Sequence, residues 1–189
     1  MDIITLFPEI LAPYFQESIL RRAQDKGKLK IVLHNLREYG EGKHRKLDER
    51  PYGGGAGMVL MAPPILRAVR DICRKVRVDR KERKIVILSA KGTQFTQRTA
   101  VRWARTLRHL ILISGRYEGI DERVRIALRA TEISLGPYVL TDGDVAAMAV
   151  VSSVARLIPG VICSDSLLEE SHSSRTAKEL GKREYPHYT

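Results

Sequence analysis

Four short segments carry residue types suited to binding or chemistry, and each contains glycine. Arg50-Pro51-Tyr52-Gly53-Gly54-Gly55-Ala56-Gly57-Met58 sets four glycines in five positions. Such a run lets backbone N–H groups come close to a ligand. It lacks the Gly-Lys-Ser/Thr ending of a P-loop, and it also reads as a flexible turn. Lys43, His44, Arg45, Lys46 and Arg50 precede it, as suits a phosphate-facing loop or a solvated charge run. The second segment runs from Ser114 through Gly115, Arg116, Tyr117, Glu118 and Gly119 to Asp121 and Arg123. Asp121 reads as the N-cap of a following helix; Glu118 has no such local role. The third, from Ser134-Leu135-Gly136-Pro137-Tyr138 to Asp142-Gly143-Asp144, offers backbone groups able to read an adenine edge. The fourth is Ile87-Leu88-Ser89-Ala90-Lys91-Gly92.

The last three segments close compact β-rich runs, over residues 85–89, 110–114 and 132–135. Further strands are expected over 1–7 and 30–36. Helices are expected over 8–25, where Pro13 bends or delays the first turn, and over 63–78, 96–107, 121–129 and 144–157. This alternation implies β-α-β units, a mostly parallel sheet and right-handed crossovers. In such folds ligands bind beyond the strand C-termini, where the three glycine-bearing loops fall. Two stretches read as loops: the polar, glycine-rich 38–57 and the polar tail 163–189. Trp103 reads as core, and the basic stretch 67–84 as a solvated helix face or a nucleic-acid phosphate contact.

Composition bounds the class. A chain of 189 residues fits one domain. Its 43% apolar and 29% charged content excludes disorder, collagen and coiled coil. Apolar runs stay far below the ~20 residues of a membrane span, and the N-terminus does not read as a signal peptide. Cys73 and Cys163 form no C-x-x-C, which argues against a disulfide framework or zinc site and for a reducing cytoplasm. Lys and Arg number 33 against 22 Asp and Glu, a net charge of +11. That excess favours an anionic partner, nucleic acid first and a membrane surface second.

Arg-Pro-Tyr-Gly-Gly-Gly-x-Gly-Met and Gly-Arg-Tyr-Glu-Gly-Ile-Asp together make the chain resemble the bacterial tRNA (guanine-N1)-methyltransferases of the TrmD family. The likeness runs from Ile4-Thr5-Leu6-Phe7-Pro8-Glu9 to Tyr185-Pro186-His187-Tyr188-Thr189. It implies a SPOUT fold: a parallel α/β sheet with helices on both faces and a deep C-terminal trefoil knot. It also implies a homodimer with active sites at the subunit interface, acting on the tRNA anticodon region at position 37. S-adenosylmethionine would be the methyl donor, and Mg²⁺ a further requirement.

By the same resemblance the donor would contact Leu88, Ser89, Gly115, Tyr117, Glu118, Leu135, Gly136, Tyr138, Leu140 and Gly143. Substrate contacts would fall to Arg45, Arg50, Tyr52, Gly53, Gly54 and Gly55. Arg156 matches the family's catalytic arginine. Glu170, in Glu169-Glu170-Ser171-His172-Ser173, matches its general base, with Glu169 as fallback and His172 as a neutral hydrogen bonder. Asp142 stands where a glycine often touches the donor and is expected to face solvent. Asp144 replaces a usual glutamate and reads as a helix N-cap. Residues 1–162 would form the catalytic domain and 163–189 a flexible linker. Family members continue into a tRNA-binding domain that this chain is expected to lack. The rivals are a ribose 2′-O-methyltransferase of the same fold class and a non-catalytic RNA-binding protein.

Overall fold

In the computed structural model, which describes residues 1–167 and 170–172, five parallel strands form one sheet. Strands β1 (Asp2–Thr5), β2 (Val32–Asn35), β5 (Arg83–Gln94), β6 (His109–Ser114) and β7 (Thr131–Ser134) lie in the order β2-β1-β6-β5-β7. Strand residues alternate between faces, so each strand feeds two cores. Ile3, Val86, Leu88, Leu110 and Leu112 point to one face. There they meet helices α1 (Pro8–Phe15), α2 (Ser18–Asp25), α4 (Gln97–Thr106) and α6 (Asp144–Ala155). Ile4, Ile87, Ile111 and Ile113 point to the other, against α3 (Ala62–Lys75) and α5 (Glu122–Leu128). Burial on both faces explains why these strands read as continuous apolar runs.

Three expectations are corrected. The helix expected over 8–25 is two helices, broken at Gln16 and Glu17, with Ser18 at a left-handed φ of 52°. Pro13 withdraws one N–H from α1, and the break lets both Phe15 and Leu20 reach the core. The loop expected over 38–57 has structure of its own. A 3-10 turn (Leu36–Tyr39) leads to β3 (Asp48–Glu49), which pairs antiparallel with β4 (Val59–Leu60). Arg67 of α3 clamps this flap by donating to Tyr39 O at 2.6 Å and Glu41 Oε1 at 3.0 Å. Finally, β5 does not stop at Ser89. It bulges between Leu88 and Thr93 and then resumes pairing with β7. Gly92 permits this, because a Cβ there would sit 2.5 Å from the Ile133 backbone nitrogen.

At the N-terminal edge of the sheet Asp2 is buried between two histidines. Its carboxylate meets His34 Nε2 at 2.7 Å and His109 Nε2 at 2.8 Å. His109 Nδ1 accepts from Arg83 Nε at 2.9 Å, which fixes the Nε2–H tautomer of that ring. Burial alone would raise the Asp2 carboxyl. The bonds from His109 and His34 outweigh it and hold the group well below the usual carboxylate range.

Candidate functional site

The C-terminal ends of β5, β6 and β7 open onto a cleft of about 390 Å³, within the usual range for small-molecule sites. Leu88 and Ser89 line it from β5; Gly115, Tyr117 and Glu118 from the loop after β6; Leu135, Tyr138, Leu140 and Gly143 from the loop after β7. Three loops distant in sequence thus converge at one place. Gly136 lies behind the lining, in a turn tied by Ser134: its N–H donates to Ser134 Oγ at 3.2 Å, and that hydroxyl donates to Gly136 O at 2.8 Å. A Cβ on Gly136 would strike the Tyr138 ring at 2.5 Å.

The second and third loops touch backbone to backbone. Gly143 N donates to Gly115 O at 2.9 Å, and a Cβ on Gly143 would lie 2.8 Å from Gly115 N. The next residue departs from expectation. Asp144 does not cap its helix; the residue is 2% exposed and its carboxyl accepts from Thr5 Oγ1 at 2.7 Å. Burial pushes that carboxyl up, partly offset by hydrogen bonds from Thr5 and Ser114. The capping contact comes instead from Asp142, whose Oδ1 accepts from Asp144 N at 2.9 Å. Asp142 therefore faces inward rather than solvent, and its other oxygen lies 3.8 Å from Arg116 Nη1. Arg116 stacks on Phe7 at 4.4 Å from the ring centroid, and its buried Nη1 has no hydrogen-bond partner among the described residues. Asp121 caps α5 as expected, accepting from Arg123 N at 2.9 Å.

The glycine flap reaches the cleft through its last glycine. Glu118 N donates to Met58 O at 3.0 Å and Leu60 N to Gly119 O at 2.9 Å, which pin the flap exit to the loop after β6. A Cβ on Gly57 would strike the Glu118 carboxyl at 2.5 Å. The residues singled out for substrate sit apart from this contact. Arg45, Arg50, Tyr52, Gly53, Gly54 and Gly55 are all exposed, and Gly53–Gly55 carry φ of 83°, 92° and 127°. None of them lines the cleft.

Arg156 and Glu170 are brought together, but not at the cleft. Arg156 closes α6, and its Nη1 pairs with Glu170 Oε2. The Glu170 side chain is only 14% exposed, and its Oε1 accepts from Gln97 Nε2 at 3.3 Å. Gly143 and Arg156 flank the twelve residues of α6, so the pair lies about 18 Å along the helix from the cleft. His172 is exposed at a φ of 64°. Glu169 lies outside the described residues.

Among the described residues no three of His, Cys, Asp or Glu gather as a metal site. Nor is any described helix long and apolar enough to cross a membrane. Thr5, Phe7 and Gln97 are site residues that sequence reasoning missed. Their partners lie 139, 109 and 73 positions away, and no local signal marks them.

The family model described as tRNA (Guanine-1)-methyltransferase TrmD matches residues 1–189. A tRNA (guanine-N(1)-)-methyltransferase of Thermomicrobium roseum is 49% identical over the whole chain, which spans 66% of that protein. Like-named proteins of Chloroflexus aggregans and Dictyoglomus turgidum are 50% and 46% identical, with 70% and 72% of their lengths covered.

Proposed function

The chain belongs to the tRNA (guanine-1)-methyltransferase TrmD family, and from that premise we infer that it transfers the methyl group of S-adenosylmethionine to N1 of guanosine 37 in tRNA. One observation carries the assignment of roles: a carboxylate and a guanidinium sit side by side at Glu170 and Arg156. Guanine presents N1–H and O6 as neighbours on one edge. A carboxylate facing N1–H and a cation facing O6 complement that edge.

Guanine N1 is protonated at neutral pH and a poor nucleophile. Glu170 takes the N1 proton as N1 attacks the donor's methyl carbon and the methyl–sulfur bond breaks, its electron pair staying on sulfur as the neutral thioether leaves. Negative charge then grows on O6, and Arg156 stabilises it most in the transition state. Adenine inverts the edge: its N1 is an acceptor and would face the carboxylate oxygen unpaired. Sites built on hydrogen bonds reject such analogues strongly. The target base leaves the anticodon stack to reach this pair.

The donor supplies an electrophilic methyl group on a cationic sulfonium, and the cleft suits it. Leu135 and Tyr138 would face the adenine, Gly115 and Gly143 would admit close approach, and Glu118 and Asp142 would supply negative charge. The reading of 1–162 as the catalytic domain rests on these loops. The knot that the resemblance implies would involve the loops after β6 and β7, which touch where Gly143 N donates to Gly115 O.

The separation between cleft and pair supports a two-chain site, the cleft of one protomer facing Arg156 and Glu170 of its partner. Exposed Ile10, Tyr14, Ile19, Val139 and Val145 offer apolar surface for the dimer. Mixing two inactive variants tests this. Glu170→Ala removes the base, and Ser89→Trp fills the cleft. A shared site restores roughly a quarter of wild-type turnover in a 1:1 mixture, through the one intact site of each mixed dimer. No restoration would show that each chain uses its own pair.

A further inference from the structure

Glu170 belongs to neither of the helices that hold it. Arg156 closes α6, and Gln97 opens α4. Both helices are fixed independently of the segment they grip. α4 buries Ala100 and Trp103, with Trp103 5.5 Å from the Phe95 ring, and Thr96 caps it by accepting from Thr99 N. α6 buries Val150, Val151, Val154 and Ala155 in the same core. A carboxylate on irregular chain is thus held from two sides by two packed helices.

The two grips differ in what the reaction asks of them. On the reading of Glu170 as base, Arg156 must turn N–H groups towards guanine O6, and the carboxylate oxygen it holds must be free to accept a proton. The Gln97 amide carries no charge and does not titrate in water. Its N–H can stay on Oε1 before, during and after proton transfer without competing for the proton. We propose that Gln97 is a positioning residue for methyl transfer: its amide aims the Glu170 carboxylate, leaving Oε2 as the oxygen that takes the guanine N1 proton. A base misplaced by about 1 Å can lose ~10² in rate, so one neutral hydrogen bond has kinetic weight here.

This inference rests on the assignment of Glu170 as base, and the experiment separates the two. Single-turnover methylation of a tRNA transcript is measured with KM for tRNA and donor binding by calorimetry. The proteins are wild type, Gln97→Leu, Gln97→Glu, Gln97→His, Glu170→Ala and the Gln97→Leu/Glu170→Ala double variant. Gln97→Leu is expected to slow transfer roughly 10- to 100-fold, with KM and donor affinity within about twofold. Gln97→Glu, which sets like charges together, should be slower still. Gln97→His, which keeps an N–H donor, should recover part of the rate. The double variant should be no slower than Glu170→Ala alone. Wild-type turnover in Glu170→Ala would overturn the base assignment, whatever Gln97 does. With Glu170→Ala slow, three results would overturn the positioning role: full activity in Gln97→Leu, losses that multiply in the double variant, or a parallel fall in donor binding.

Discussion

Gly143→Ala is the smallest change that tests how the donor cleft is built. The added Cβ would lie 2.8 Å from Gly115 N, 2.9 Å from Ser114 Cα and 2.9 Å from Ser114 Oγ. Two of these neighbours are backbone, so rotamer changes cannot relieve the clash, and the loops must part by roughly half an ångström. Overpacking of this kind costs about 1–3 kcal/mol. Opening the 2.9 Å bond from Gly143 N to Gly115 O adds about 1 kcal/mol. Both glycines line the cleft, so the displacement falls on the proposed donor site. Loss of about 1.4 kcal/mol of donor binding is tenfold in Kd. Calorimetric titration with S-adenosylmethionine, alongside urea unfolding, reads both quantities. Gly27→Ala is the control: its φ is 63°, with nothing within 4 Å of the added Cβ, far from the cleft. That variant should lose about 1–2 kcal/mol of stability to backbone strain while binding donor normally. If Gly143→Ala loses stability yet binds donor like wild type, the glycine contact does not shape the donor site.

Other perturbations probe the rest of the scaffold. Asp2→Ala strands His34 and His109 and should cost about 3 kcal/mol or more in urea unfolding. Because the Asp2 carboxyl is held low, its contribution is present above the ordinary aspartate range and is lost as pH falls below it. A wild-type profile flat through pH 4 to 2, once compared with the variant, would contradict this. Asp144 has the opposite sign: its raised carboxyl favours the fold at low pH, and that stability is lost as pH rises through the folded value. Asp144→Asn keeps an acceptor for Thr5 and should unfold at equal or higher urea at pH 7, with a shallower pH slope. Gly92→Ala drives a Cβ to 2.5 Å from Ile133 N and should lower Tm by several degrees in a thermal melt, since about 1 kcal/mol shifts a domain of this size by 2–4 °C.

The parallel sheet and the glycine loops that line the cleft are legible in the sequence because both are local signals. Buried strands read as apolar runs, and close backbone approach demands glycine at Gly143 and Gly92. Polar pairs between distant segments are not legible. Asp2 carries no sign of the histidines 32 and 107 positions away. Asp144 looks like a helix cap because aspartate at a helix start usually is one; only the approach of Thr5 and Ser114 makes it a buried acceptor. Asp142 looks solvent-facing until Arg116 folds over Phe7 beside it. The helix break at Gln16 and Glu17 was hidden for a related reason: Phe15 and Leu20 both fit one apolar stripe, and only the shape of the core requires the turn between them.

The most direct test of the central claim is the identity of the methylated base. Transcripts of one tRNA carrying G or A at position 37 are incubated with the protein and labelled S-adenosylmethionine, and digested nucleosides are separated by mass spectrometry. Guanine-N1 transfer with Glu170 as base should give 1-methylguanosine from the G transcript, no methylated nucleoside from the A transcript, and loss of product in Glu170→Ala without loss of donor binding. Methylation of both transcripts, or a label on ribose, would contradict it.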